Sequence, residues 1–108
     1  MNQEIREHYE ARARIMKALG HPTRLFIVDQ LSKDAYCVWE LTEMIGADVS
    51  TVSKHLSILK EAGLVDYEKR GTQMHYRLAA PCVQNFFHCL KDLVRANVQR
   101  QMQCLQDE

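Results

Sequence analysis

The stretch Val38–Leu78, VWELTEMIGADVSTVSKHLSILKEAGLVDYEKRGTQMHYRL, decides the fold. Val38, Leu41 and Ile45 recur at helical spacing and stop at Gly46, a residue suited to the left-handed conformation that ends a helix. Asp48 then stands where a second helix needs a cap, and Val52, Leu56 and Leu59 follow at i, i+4, i+7. Opposite that stripe lie Ser50, Ser53, Lys54 and Ser57. Small hydroxyls and one cation suit a helix that enters a DNA major groove, because they approach base edges and phosphates without burying apolar surface. Leu64 to Glu68 alternates as a strand, and Met74, Tyr76 and Leu78 alternate in its return partner. Between them Lys69-Arg70-Gly71-Thr72 reads as a turn with two cations at its tip, placed for a phosphate backbone or a minor groove. Together these elements predict a mostly α fold with a small β-hairpin wing, a winged helix-turn-helix.

The flanking segments are helical. A first helix is expected from Gln3 to Leu19, with Ile5, Tyr9, Ala13, Met16 and Leu19 on one side. Gly20-His21-Pro22 breaks it, and Pro22 opens a second helix to about Leu31 that presents Leu25, Val28 and Leu31 to the core. Ser32 to Tyr36 reads as a loop or short extended piece. Ala79-Ala80-Pro81 should start a long final helix, whose stripe Val83, Phe86, Phe87, Leu90, Val94, Val98, Met102 and Leu105 exceeds what so small a body can cover. That excess predicts a twofold dimer through the first and last helices, with Ile5, Tyr9, Phe87, Leu90, Val94 and Val98 in the seam.

The bulk properties fit one domain spanning residues 1–108. With 46% hydrophobic and 26% charged residues the chain is an ordinary globular protein, and wholesale disorder is excluded. It has no apolar run long enough for a membrane span, and its charged N-terminus lacks an apolar signal core, so a cytoplasmic location without membrane contact is expected. The 14 cations balance the 14 carboxylates, which argues against a protein that coats nucleic acid by charge alone. Charge is nonetheless segregated. Residues 11–24 carry Arg12, Arg14, Lys17 and Arg24 without a carboxylate, and residues 34–48 carry Asp34, Glu40, Glu43 and Asp48 without a cation.

Gly20-His21-Pro22-Thr23-Arg24-Leu25, Trp39-Glu40-Leu41, Thr51-Val52-Ser53-Lys54-His55-Leu56 and Glu61-Ala62-Gly63-Leu64-Val65 occur in that order. With Gly71 and His75-Tyr76-Arg77-Leu78, they resemble the ArsR/SmtB family of small winged-helix repressors over roughly residues 15 to 78. The resemblance implies a homodimer that sits on double-stranded operator DNA and leaves when an inducer binds. It implies inducers of three kinds: soft or borderline metal ions, arsenite, and reactive sulfur or oxidants. The expected DNA contacts are then Ser50, Thr51, Ser53, Lys54 and Ser57 from the helix, with Lys69, Arg70 and Thr72 from the wing. Two family patterns are altered here. The Cys-Val-Cys of arsenic and cadmium sensors is Cys37-Val38-Trp39, and the last helix holds a single histidine, His88, in place of the zinc sensors' Asp-x-His and His-x-x-Glu. A zinc site of that oxygen and nitrogen type is not expected.

The four cysteines are the inducer candidates. In a cytosolic protein they read as thiols, ligands or redox sensors before a disulfide framework. Cys82 and Cys89 share a face of the last helix but lie about 10 Å apart along it if both are helical. Two sulfurs on one ion must approach within roughly 5 Å. Cys37 with Cys82 or Cys89 is the expected thiol sensor. Three thiolates would suit As(III) or another soft metal ion, and two would suit a disulfide or polysulfide bridge. No resident cofactor is required. Cys104, near the chain end, is the least informative. His55 is expected on the buried edge of the recognition helix, His75 in a strand beside the wing, Trp39 in packing near the turn, and His21 in shaping the approach to Pro22. No grouping of serine, histidine and carboxylate suggests catalysis. The alternatives are a constitutive DNA binder without inducer, and a winged helix whose exposed helix binds another protein.

Overall fold

The computed structural model describes residues 1–107. Their order is α1 (Gln3–Leu19), α2 (Pro22–Leu31), β1 (Tyr36–Cys37), α3 (Val38–Ile45), α4 (Val49–Glu61), β2 (Val65–Arg70), β3 (Gln73–Leu78) and α5 (Val83–Asp107). The strands form one antiparallel sheet in the order β1-β3-β2.

Local chemistry sets each boundary. The Asn2 side chain accepts the Ile5 N–H at 2.9 Å and caps α1. His21 caps α2 by accepting the Thr23 N–H on Nδ1 at 3.1 Å, and Pro22 takes the first helical turn, where its missing N–H costs nothing. Between α3 and α4 the chain turns at Gly46, with φ 78°. A Cβ there would meet no atom within 4 Å, so the backbone angle, not crowding, demands glycine. Asp48 then caps α4, with Oδ1 accepting the Thr51 N–H at 2.7 Å.

The core gathers where α2, α3 and α4 meet the sheet. Ile27, Leu41, Val52, Leu56 and Leu59 are fully buried, joined by Val28, Leu31, Leu64, Val65 and Tyr76. All three residues of the α4 stripe are therefore where their spacing put them. In α2 the outcome differs from expectation: Ile27 is buried and Leu25 only half-buried. Leu25-Phe26-Ile27-Val28 is apolar on consecutive positions, so periodicity alone does not select which side faces α4.

The segment up to Tyr36, expected as a loop or short extended piece, ends extended: Tyr36 and Cys37 form β1, paired with Tyr76 and His75 of β3. Three further expectations are corrected. Lys69 and Arg70 lie in β2, not in a four-residue turn; Arg70 pairs with Gln73 and only Gly71 and Thr72 form the loop. Gly71 has φ 63° at the first loop position, as a II′ hairpin turn requires. The last helix starts at Val83, not at Ala79–Pro81, so Cys82 lies in the turn before it. Trp39, expected in packing near the turn, is 65% exposed.

Helix α5 leaves the body as it runs. Val83, Phe86, Phe87 and Leu90 are half-buried, and Phe86 and Phe87 pack on the core. Beyond them Leu93, Val94, Val98, Met102 and Leu105 are exposed. On α1, Ile5, Tyr9 and Met16 are exposed as well. No helix among the described residues is long and apolar enough to cross a membrane. The core arrangement predicts that Leu56→Ala lowers the unfolding free energy by about 2–5 kcal/mol, measurable by urea denaturation; a loss under 1 kcal/mol would mean that α4 is not anchored through this residue.

Candidate nucleic-acid interface

Helix α4 is buried along one side only. Across from Val52, Leu56 and Leu59, the residues Ser50, Thr51, Lys54 and Ser57 are exposed, and Ser53 is half-buried. The expected helix contacts are thus brought onto one side of one helix. Asp48 organises its start: besides capping Thr51 it accepts the Ser50 hydroxyl at 2.9 Å. The backbone hydrogen bond from Thr51, with the hydroxyl of Ser50, holds this carboxyl below its ordinary range. Ser50 is accordingly occupied in the free protein. Among the described residues Lys54 makes no ion pair and stands open to solvent.

The wing is less open than its sequence suggests. Strand register places Asp66, Glu68 and Arg70 on one face with their partners Arg77, His75 and Gln73. Arg77 Nε donates to Asp66 at 2.6 Å and its Nη1 lies 3.7 Å from Glu68, while Arg70 lies 3.5 Å from the same Glu68. Its hydrogen bond to Asp66 raises the Arg77 guanidinium above its ordinary value. This face is a charge-balanced ladder, and Arg70 is part of it. Lys69 is exposed with no ion pair among the described residues, and Thr72 sits exposed in the loop. Sequence reasoning passed over Arg77 and the Glu68–Arg70 pair, although strand alternation puts residues i and i+2 on one face.

Behind α4, His55 meets two other elements. Its ring packs at a 47° tilt against His21, the α2 cap, with 4.6 Å between centroids, and its Nδ1 lies 3.3 Å from Arg24 Nη1. A guanidinium can only donate, so Nδ1 accepts and the ring is neutral. Arg24 is itself fixed by donating from Nε to the Ala18 carbonyl at 2.6 Å. His55 thus lies on the buried edge of α4, as expected, and joins it to α2.

The thiols are dispersed in kind. Cys37 is buried; it ends β1 and occupies the N-cap position of α3, where its own N–H donates to Glu40 at 3.0 Å. That hydrogen bond lowers the Glu40 carboxyl below its ordinary value. Cys82, Cys89 and Cys104 are exposed, and all four are free. Among the described residues no three His, Cys, Asp or Glu side chains of one protomer stand together as a metal site.

Two helices joined at a tight glycine turn and followed by a β-hairpin define a winged helix-turn-helix domain. Residues 21–67 match the model of the bacterial regulatory protein, arsR family. The transcriptional repressor SmtB of Mycobacterium tuberculosis is 42% identical over 74 residues, 68% of this chain; the chain spans only 55% of that relative's length. The HTH-type transcriptional regulator MJ1325 of Methanocaldococcus jannaschii is 36% identical over 88 residues, covering 81% of this chain and 99% of the relative. Among solved structures, the homodimeric winged helix-turn-helix DNA-binding domain of Mb0332 from Mycobacterium bovis superposes with a TM-score of 0.81 at 27% identity, covering 93% of each chain. The chain belongs to the ArsR family.

Burial first, then the neighbouring His21 and Arg24, lowers the His55 imidazole below its ordinary value of 6.5. As pH falls, the unfolded chain takes up this proton before the folded one. The neutral ring's contribution is complete above about pH 6.5 and is lost as pH falls through the folded value. Urea titrations should therefore show the parent losing stability between pH 7.5 and 5, with His55→Gln losing less. Equal pH profiles for the two proteins would contradict this role of His55.

Proposed function

We propose that the chain is a homodimeric transcriptional repressor held on double-stranded operator DNA by α4 and the wing, and released by a thiol-binding inducer. The observation that carries the DNA reading is the one-sided burial of α4. From Ser50 to Ser57 its exposed side is short and hydroxyl-bearing, with one unpaired cation, Lys54, and the exposed Ile58 and Lys60 follow only in the last turn. The Ser50 to Ser57 surface approaches base edges closely and buries no large apolar group against them. Lys69 and Thr72 serve the backbone or minor groove, and Arg70 joins them by exchanging Glu68 for a phosphate. That exchange is easy because exposed ion pairs contribute only about 0–1 kcal/mol.

The dimer is supported by what α1 and α5 leave uncovered. Ile5, Tyr9, Val94 and Val98 are exposed at 44%, 55%, 62% and 49%, a stripe too long for a lone protomer to present to water. Phe87 and Leu90 contribute from its half-buried base. The inducer reading rests on Cys37. It joins the sheet to α3, the helix that supports α4, so a bond from its sulfur to Cys82 or Cys89 would tie α5 to the reading head. The chemistry is that of As(III) or another soft metal ion, or of reactive sulfur or an oxidant that links two thiols. Near-complete release needs a difference of about 5 kcal/mol between the DNA-bound and free conformations.

Three measurements test this. In a gel shift on the DNA upstream of the chain's own coding sequence, Lys54→Ala should weaken binding by about 1–3 kcal/mol; parent-like affinity would place the recognition surface elsewhere. Val94→Glu puts a charge into the apolar seam and should give monomers at micromolar concentration by sedimentation, whereas a stable dimer would exclude this seam. Cys37→Ser and Cys89→Ser should bind DNA as the parent does but no longer release it with arsenite, Cd(II) or polysulfide, while Cys104→Ser responds normally. Full induction in Cys37→Ser would rule out the thiol bridge, and a parent that none of these three compounds releases would leave the constitutive reading.

A further inference from the structure

The carboxylate-free run at residues 11–24 has no part in the reading above, and it borders a groove of about 540 Å3 between α1 and the C-terminal end of α4. The floor is apolar: Ala11, Ile15 and Ala18 of α1 face Ile58 and Ala62. Ile15 and Ile58 are still 41% and 42% exposed there. The rim carries three cations, Arg14, Lys17 and Arg24, against one carboxylate, Glu61. Among the described residues Arg14, Lys17 and Glu61 form no ion pair. Arg24 is held in place by the Ala18 carbonyl and His55. Small-molecule sites share this build, about 300–1,000 Å3 of mostly apolar wall with a few convergent polar groups.

The groove is also separate from the dimer stripe. At about 100° per residue, Ala11, Ile15 and Ala18 lie roughly 130° around α1 from Ile5, Tyr9 and Met16. A seam along the second set leaves the first uncovered.

We infer that this groove binds an amphipathic organic anion. A carboxylate or sulfonate head pairs with Arg14 and Lys17, with Arg24 behind them, and an aliphatic or aromatic tail lies on Ile15 and Ile58. The excess of cations disfavours an amine, and a purely hydrophilic anion would leave the apolar floor in water. A DNA phosphate would use the rim but not the floor. The site lies against the recognition helix, which supplies Ile58 and Glu61, and Arg24 touches His55 on that same helix.

The test is direct binding to the full chain without DNA, so its outcome is independent of the repressor reading. Decanoate at submicellar concentration is titrated into the 15N-labelled protein, with decylamine as the same tail on a cation. The expected result is saturable shifts confined to residues 11–24 and 58–62 for decanoate and none there for decylamine. Arg14→Glu with Lys17→Glu should raise the apparent dissociation constant about tenfold or more. The neutral pair Arg14→Gln with Lys17→Gln, which spares the helix a reversed charge, should give a smaller rise in the same direction. Any of three results overturns the inference: shifts spread along Leu93, Val98 and Met102, decylamine binding as well as decanoate, or an unchanged constant in both double variants. A short operator duplex that perturbs residues 11–18 where decanoate does not would reassign the rim to phosphate contact.

Discussion

Val52, Leu56 and Leu59 have no accessible surface, and the remaining architecture depends on that anchoring of α4. Each such side chain contributes about 1.5–3 kcal/mol by leaving water. The exposed pairs elsewhere, such as Arg6–Glu10 and Lys33–Asp29, contribute about 0–1 kcal/mol each. Burial, not surface charge, therefore fixes the orientation of α4. Once its apolar side is docked on Ile27, Leu41 and Val65, the hydroxyls and Lys54 have no choice of direction. Asp48 completes the arrangement by satisfying the start of the helix from within the chain.

Around this anchor the other contacts act as struts. Arg24 ties the end of α1 to α4 through the Ala18 carbonyl and His55, and His21 packs at a tilt against the same ring while capping α2. Cys37 ends β1 and is the N-cap residue of α3, so the sheet leads directly into the supporting helix. The wing differs in kind. Its outer face is held by Asp66, Glu68, Arg70 and Arg77, which neutralise one another. Its net attraction for an anion is accordingly smaller than the Lys69-Arg70 dipeptide suggests. A neutral chain with screened wing cations is suited to weak non-specific and tighter specific attachment, because the sequence-independent part of binding scales with cations free to meet phosphate.

Much of this was legible in the sequence, for physical reasons. Amphipathic spacing in α4, the glycine stop at Gly46 and the alternation of β2 and β3 are local signals, and each landed within a residue or two of the structure. The misses share a cause. The buried side of α2 depends on which neighbours press on it, and four consecutive apolar residues conceal that choice. Trp39 was expected to pack near the turn because a large apolar ring favours burial, yet its position on α3 leaves it 65% exposed. For the site, the exposed residues of α4 were readable from the wheel, whereas the capture of Arg70 by Glu68 requires strand register. The grouping of Arg14, Lys17 and Arg24 beside Ile58 required the tertiary fold.

The central claim is that the exposed side of α4 lies in a major groove. It is tested most directly by a photo-reactive residue, Ser57→p-benzoylphenylalanine, irradiated on a duplex from the upstream region, with Val94→p-benzoylphenylalanine as the comparison. The account predicts cross-links from position 57 to bases within two symmetric half-sites, detectable through their major-groove edges, and none from position 94. Cross-links from position 94 with none from position 57 would contradict it.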